Sequence, residues 1–273
     1  MRRSGLVRLG ALLVMGLSAW PAHAPAAEAT AKGSIEPGAI RALQAMGTFL
    51  RTLNTMEVQS EMTTDDFLPT GQKIQFGGTV SLKVKRPDHL RVEIASDRKN
   101  ERIFYDGRAF TVFQPKLGYF ATFAAPHSLR ELVDVLEQQY GLDLPLADLF
   151  RLGTDPKQLA AIKDATVVGS STVRGTPCVH YAFHQADIDW EIWIEQGNRP
   201  LPRKMVITTR TEKTQPQHTS IMSWNLKPDL DEQVFAFVPP PNAQRIDFDV
   251  TAQAAAVRRQ GRAAPAGRLG VKP

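Results

Sequence analysis

The sequence predicts an α+β protein: a curved antiparallel β-sheet with one helix ahead of the strands and further helices inserted between two groups of them. Three observations predict this. From Met56 onward, apolar and polar residues alternate over most of the chain, the period of a half-buried strand. Turn signals such as Arg86-Pro87-Asp88 and Asp106-Gly107 join neighbouring runs as hairpins. The alternation lapses once, over about 128–163, where apolar spacing becomes helical. A βαβ rhythm is missing, which argues against a doubly wound parallel sheet.

The first 27 residues read as a cleavable export signal. Arg2, Arg3 and Arg8 precede an uncharged apolar run, Leu9 to Trp20, and the small-residue triplets Ala22-His23-Ala24 and Pro25-Ala26-Ala27 follow. The run is shorter than the ~20 residues that span a bilayer, and no cysteine stands at the cleavage sites to carry a lipid anchor. The chain is therefore expected to be exported from the cytoplasm. Residues 28–35 read as a linker, 36–250 as a single domain, and 251–273 as a disordered basic tail, rich in Ala, Arg, Gly and Pro, that cannot build a core.

Within the domain, Glu36 to Leu53 places Ile40, Leu43, Met46, Gly47 and Leu50 at helical spacing, with Pro37 suited to a first turn. Strands follow at Thr79–Lys85, Leu90–Ile94, Glu101–Tyr105, Phe110–Phe113 and Tyr119–Phe123. Ser128 with Glu131 forms a capping box, and Leu129, Leu132, Val133 and Leu136 make one apolar face of the helix it starts. Shorter helices are expected in Leu144–Leu152 and Pro156–Ile162. Strands resume at Ala165 and end with Val234–Phe237, expected to close the sheet before Pro239-Pro240-Pro241. Several strands are apolar on both faces, as at Phe110 with Phe113 and Trp190 with Trp193. The inserted helices are the expected cover for the second face.

Charge excludes one class of partner. Of 33 basic residues, three lie in the signal and five in the tail; the body carries 25 against 28 acidic ones. The basic pI is terminal, and a nucleic-acid surface needs Lys and Arg clustered on a folded face. Cys178 is the single cysteine, so no disulfide forms within the chain; its apolar surroundings place it inside.

Catalytic and metal chemistry find little support. His180 and His184 share a strand face but stand about 13 Å apart in extended chain, too far for one ion. Asp187 and Asp189 flank a turn nearby, and Asp65-Asp66 is a pair of adjacent acids whose side chains point to opposite faces. Nucleophile elbows, phosphate-binding glycine loops and zinc-protease motifs are missing, so neither an enzyme nor a cofactor is expected.

Three stretches carry a resemblance. They are Lys85-Arg86-Pro87-Asp88-His89-Leu90-Arg91-Val92-Glu93 with Tyr105-Asp106-Gly107-Arg108 and Phe113-Gln114-Pro115; Trp193-Ile194-Glu195 with Pro200-Leu201-Pro202-Arg203-Lys204; and Val234-Phe235-Ala236-Phe237-Val238-Pro239-Pro240. In this order the chain resembles the bacterial outer-membrane lipoprotein carriers LolA and LolB, and more closely a family of predicted periplasmic proteins of unknown function. The resemblance implies a half-barrel whose concave apolar face takes acyl chains beneath a helical lid. Its expected lining is Leu82, Val84, Phe110, Val112, Trp190 and Ile192 on the strands, with Leu129, Leu132, Val133 and Leu136 on the lid. Arg91 matches a family arginine that ties the lid shut by hydrogen bonds, although alternation with Leu90 and Val92 equally permits an outward, solvated side chain. The implied function is a monomeric periplasmic carrier for a lipid or acylated protein, with a membrane-associated protein as a further partner. The alternative is a sensor or regulator that binds a partner protein, since the same fold serves in a regulator of an anti-sigma factor.

Overall fold

The computed structural model describes residues 33–247 apart from Gly141 and Asp143. The expected signal, most of the linker and the basic tail lie outside the described residues. Helix α1 (Pro37–Thr52) starts on proline and buries Ala39, Leu43, Met46, Gly47 and Leu50 on one face. Its entry is tied to the sheet by backbone bonds from Ala165 N to Ser34 O (3.1 Å) and from Glu36 N to Ala165 O (2.8 Å).

Six strands follow in meander: β1 (Thr55–Phe67), β2 (Lys73–Lys85), β3 (His89–Ser96), β4 (Asn100–Asp106), β5 (Ala109–Gln114) and β6 (Tyr119–Ala124). After the helical insert come β7 (Asp164–Val173), β8 (Thr176–His184), β9 (Ile188–Glu195), β10 (Pro202–Thr209) and β11 (Gln217–Asn225), with the two-residue β12 (Gln244–Arg245) last. All belong to one sheet ordered β12-β6-β5-β4-β3-β2-β1-β11-β10-β9-β8-β7. Its two ends do not meet, so it is a curved sheet and not a closed barrel. The two meanders are fused by antiparallel pairing of β1 with β11, from Glu57 opposite Asn225 to Thr64 opposite His218. Among the described strands every pairing is antiparallel except β12 with β6, and an isolated parallel bridge joins Ile35 to Ala165.

Register sorts the side chains. Val58, Leu82, Val92 and Ile103 lie opposite one another across β1–β4, as do Tyr181, Ile192 and Met205 across β8–β10. All of them face the helices on the concave side, in one continuous core that also holds Leu90, Tyr105, Phe110 and Trp190. Intervening residues face outward and are mostly polar, such as Lys83, Glu93 and Glu191. Cys178 lies on that outer side, buried with Val173, Trp193 and Val206 in a small second cluster.

Two expectations need correction here. Val234–Phe237 does not close the sheet. Glu232–Val234 is a single 3-10 turn, and the chain then runs as a strap over the outer face. The Phe237 ring lies 5.2, 5.5 and 5.0 Å from those of Phe104, Phe113 and Phe120, while Phe235 is fully buried against His89. So the lid helices are not what covers the second apolar face; there the cover is the C-terminal strap. Prolines at 239–241 lack N–H donors and cannot extend a ladder, which favours a strap over a strand.

At the far end of β1, Asp65 is 2 % exposed. Burial raises its pKa, but bonds from Lys73 Nζ (2.5 Å), Gln217 N (3.2 Å) and Gln75 Nε2 (3.2 Å) outweigh burial and hold the carboxyl below its ordinary value. A folded pKa below the unfolded one, about 3.9, adds stability that is complete above that value and lost as pH falls through the lower one. Unfolding free energy should therefore drop on acidification below about pH 4. Asp65→Asn should flatten part of that drop and cost about 1–2 kcal/mol at neutral pH. Urea titrations across this range check both; an unchanged slope in the variant contradicts the assignment.

Candidate functional site

The site is the concave face and the segment that covers it. Helix α2 (Leu129–Gln139) begins where Ser128 Oγ accepts from Glu131 N (3.3 Å). Its Leu129, Leu132, Val133 and Leu136 are at most 1 % exposed. A 3-10 turn (Ala147–Phe150) and the short α3 (Pro156–Ala160) complete the cover. The four α2 residues share one cluster with Leu82, Val84, Phe110, Trp190 and Ile192, and Val112 packs against it partly buried. The residues expected to line the site are thus brought together.

The segment is hinged at both ends. At its start, Leu129 N donates to Pro87 O (3.0 Å), the Tyr105 hydroxyl donates to Pro126 O, and His127 Nδ1 lies 2.7 Å from Gly107 O. Burial, then nearby carboxylates, raise the Tyr105 pKa, so the phenol stays a donor. At its end, Lys163 N donates to His184 O (2.8 Å). Between the hinges, among the described residues, the backbone–backbone hydrogen bonds of 130–162 all close inside the segment. Arg151 braces it internally, reaching Glu137 (2.8 Å) and Asp134 (2.5 Å) on α2. What holds the segment to the sheet is apolar burial, with Tyr140 stacked on Phe123 at 4.2 Å.

Against α1 the fit is close. A Cβ on Gly47 would lie 2.1 Å from Leu152 O, and one on Gly153 would lie 2.0 Å from Leu43 O. Gly153 also has φ +74°. Two glycines therefore let the backbones of helix and lid touch.

Arg91 is not the lid latch. It alternates with Leu90 and Val92, whose side chains fill the concave core, so it must face outward. There Nη1 donates to Val234 O (3.1 Å) and the guanidinium lies 5.0 Å from the Phe104 ring centre, fastening the strap. The arginine that reaches the lid is Arg86, at the β2–β3 turn. Its Nε donates to Leu53 O (3.1 Å) at the end of α1, and its guanidinium lies 5.6 Å from the Phe150 ring centre. Burial, and then the charge of Arg51, lower its pKa from the ordinary value. Two arginines five residues apart, on opposite sides of a proline turn, carry no period signal that tells which one meets the lid.

The other candidates lie elsewhere. Trp193 neither lines the concave face nor sits under the lid; on the outer face it stacks on His180 at 3.9 Å, with Lys204 Nζ 4.3 Å from its ring centre. His180 pairs with Glu191 (2.7 Å) and His184 with Asp189 (2.5 Å), on separate rungs. Arg210 Nη1 lies 3.1 Å from His184 Nε2, so a cation already fills that corner. One histidine that sequence reasoning passed over is His218. Its Nδ1 lies 2.8 Å from Thr64 Oγ1 and its Nε2 3.1 Å from Ser220 Oγ; burial lowers its pKa. The neutral ring joins hydroxyls on β1 and β11. Asp65 is committed to Lys73 and Gln217.

The gap beneath α3 measures about 10 Å³, lined by Leu43, Leu152, Leu159 and Trp190 among others. A second gap, about 240 Å³, lies outside, between the strap and Phe104, Thr111, Phe120 and Thr122. Pockets that hold drug-sized ligands measure about 300–1,000 Å³.

Solved structures with similar arrangements include an uncharacterised conserved protein of Thermus thermophilus (11 % identity, 77 % of this chain and 99 % of that one, TM-score 0.43). The lipoprotein LppX of Mycobacterium tuberculosis is similar at 11 % identity, over 72 % of this chain and 100 % of that one, TM-score 0.44. A LolA-superfamily protein of Nitrosomonas europaea is similar at 14 % identity, over 73 % and 97 %, TM-score 0.35. No curated protein sequence matches the chain. A family model described as predicted periplasmic protein (DUF2092) matches residues 39–249, from the first turn of α1 through the strap. Since that match takes in every strand of the sheet, its helical cover and its outer strap, the chain belongs to this family of predicted periplasmic proteins.

Proposed function

We propose that this protein binds an apolar ligand, an acyl chain carried by a lipid or an acylated protein, on the concave face in the place now held by α2 and the residues after it. The observation that carries the reading is the hinged cover: its apolar face is wholly buried, yet its backbone hydrogen bonds stay within it. Lifting it breaks no ladder and leaves no buried backbone group unpaired, so the cost is mainly re-exposed apolar surface.

Magnitudes favour an exchange. The seven buried Leu and Val side chains of the cover from Leu129 to Leu152 are worth roughly 10–21 kcal/mol, at about 1.5–3 each. An acyl chain of about 14–16 carbons gains roughly 11–13 kcal/mol at about 0.8 per CH₂. The acyl gain reaches the lower part of the cover's range, so only a long chain can displace the cover. The closed gap is too small for either to enter without displacement. Arg86 is assigned as the latch, since it joins the α1 terminus to Phe150 of the cover.

The test is uptake by the delipidated mature protein of a fluorescent fatty acid or lipopeptide. Native mass spectrometry of protein taken from the periplasm provides an independent readout. Binding that strengthens steeply from about 10 to 16 carbons is expected. Saturable binding of none of these ligands removes the proposal.

A further inference from the structure

The gap of about 240 Å³ beneath the strap lies on the outer face, apart from the acyl-binding floor. Its own floor follows a cross-strand row: Arg91, Phe104, Thr111 and Thr122 stand opposite one another across β3–β6. Ala109, Thr111 and Thr122 place small side chains where Phe104, Phe113 and Phe120 place rings on the same face. The strap rests on Phe237, whose ring packs on Phe104 at 5.2 Å and on Phe120 at 5.0 Å. It therefore bridges the small residues without filling the space over them. At the ~30 Å³ that one water occupies in the liquid, that space has room for about eight heavy atoms.

The polar lining calls for a cationic donor. Asp106 is exposed and stands where the gap meets solvent. Its Oδ1 accepts from Arg108 N (3.0 Å) and Ala109 N (2.8 Å), which fixes the carboxylate on the β4–β5 turn. Among the described residues Oδ2 has no hydrogen-bond or ion-pair partner. Thr111 Oγ1 and Thr122 Oγ1 are 2.8 Å apart and serve each other, so what they leave over is mainly lone pairs. Among the described residues no basic side chain lines the gap. Arg91, beyond Phe104 on the row, is paired with Glu93 (2.7 Å), and the Arg108 side chain is exposed outside the lining.

We propose that this gap binds a small hydrophobic amine, with an aryl group under the strap and the protonated nitrogen against Asp106 Oδ2. The apolar part lies among Phe104, Phe120, Phe235 and Phe237, and the charge stays at the mouth, where it keeps its water. An alcohol of the same shape keeps the apolar contact and loses the ion pair. An acid of that shape meets a carboxylate and no counter-charge. The site selects by charge, and because it lies across the sheet from the acyl-binding floor the two fill independently.

The experiment is an amide NMR titration of the full mature chain with phenethylamine, phenethyl alcohol and phenylacetate at neutral pH. Phenethylamine should bind saturably and shift the amides of Thr111 and Thr122. It should bind about two- to fivefold more tightly than the alcohol, the worth of an exposed ion pair, with phenylacetate weakest. Asp106→Asn keeps an acceptor for the turn amides and should make amine and alcohol bind alike. Ala109→Leu fills the gap from the floor and should abolish binding of both, with the dispersed spectrum of the parent retained as the check that it folds. A C16 acyl ligand should leave the amine's affinity unchanged. The proposal is overturned by an alcohol or acid that binds as tightly as the amine, by an amine affinity indifferent to Asp106→Asn, or by binding that survives in folded Ala109→Leu. Displacement of the amine by the acyl ligand, or no saturable binding of the amine, overturns it as well.

Discussion

Gly47→Ala is expected to destabilise the protein by about 2–3 kcal/mol, although alanine in a helix interior ordinarily stabilises relative to glycine by about 0.5–1 kcal/mol. The reversal of sign follows from one contact. The new Cβ would sit 2.1 Å from Leu152 O and 2.9 Å from Thr154 Cγ2. The first is backbone, so no rotamer change relieves the overlap, and the residues after Arg151 must move. Gly153→Ala should be worse, since it meets Leu43 O at 2.0 Å and must also hold a positive φ. Both changes act where cover and α1 touch, leaving the strand ladders intact. The loss should appear as local loosening of the cover, and acyl ligands should bind more tightly because less of the closed state has to be undone. Thermal unfolding with a binding titration checks this; a Tm that rises as helix propensity alone predicts contradicts the packing described here.

The second large effect lies on the opposite face. Phe235→Ala should cost about 3–5 kcal/mol, the range for deleting a buried aromatic ring. Phe235 is 0 % exposed and meets the His89 ring edge-on at 5.2 Å. Phe237→Ala should cost less, since Phe237 is only half-buried, but it uncovers Phe104, Phe113 and Phe120 together. A contiguous aromatic patch on a sheet face invites association. The Phe237 variant should therefore bind a hydrophobic dye and run larger on gel filtration, while its acyl affinity stays near the parent's because the strap lies on the other face. A loss below about 1 kcal/mol for Phe235→Ala contradicts the strap as a structural cover.

These two positions also show what the sequence conveys. The concave floor was legible because alternation at Leu82, Val84, Trp190 and Ile192 is a local pattern, and α2 because its capping box and apolar spacing are local too. Pairing of β1 with β11 joins residues more than 150 positions apart, for which period and turn chemistry give no signal. The strap was misread for a related reason: Phe235 and Phe237 alternate as a strand would, but they pack as anchors on a face already paired. Gly47 stood in the helical pattern as a small core residue. Its meaning, a backbone from the cover at van der Waals distance, exists only in three dimensions. Arg86 and Arg91 differ only in which side of the sheet the turn leaves them on. Trp190 was expected on the floor, whereas its unpaired N–H carries no sequence signal.

Native-state hydrogen exchange tests the hinged cover most directly. Amides of α2 and α3 should exchange through a local opening well below the global unfolding free energy, with β2, β3 and β4 protected to the global limit. Addition of a C16 acyl ligand should raise exchange in α2 and α3 without changing the strands. Should the helices and the central strands exchange together at the global limit, with or without ligand, the cover is an integral part of the core and ligand entry by its displacement is ruled out.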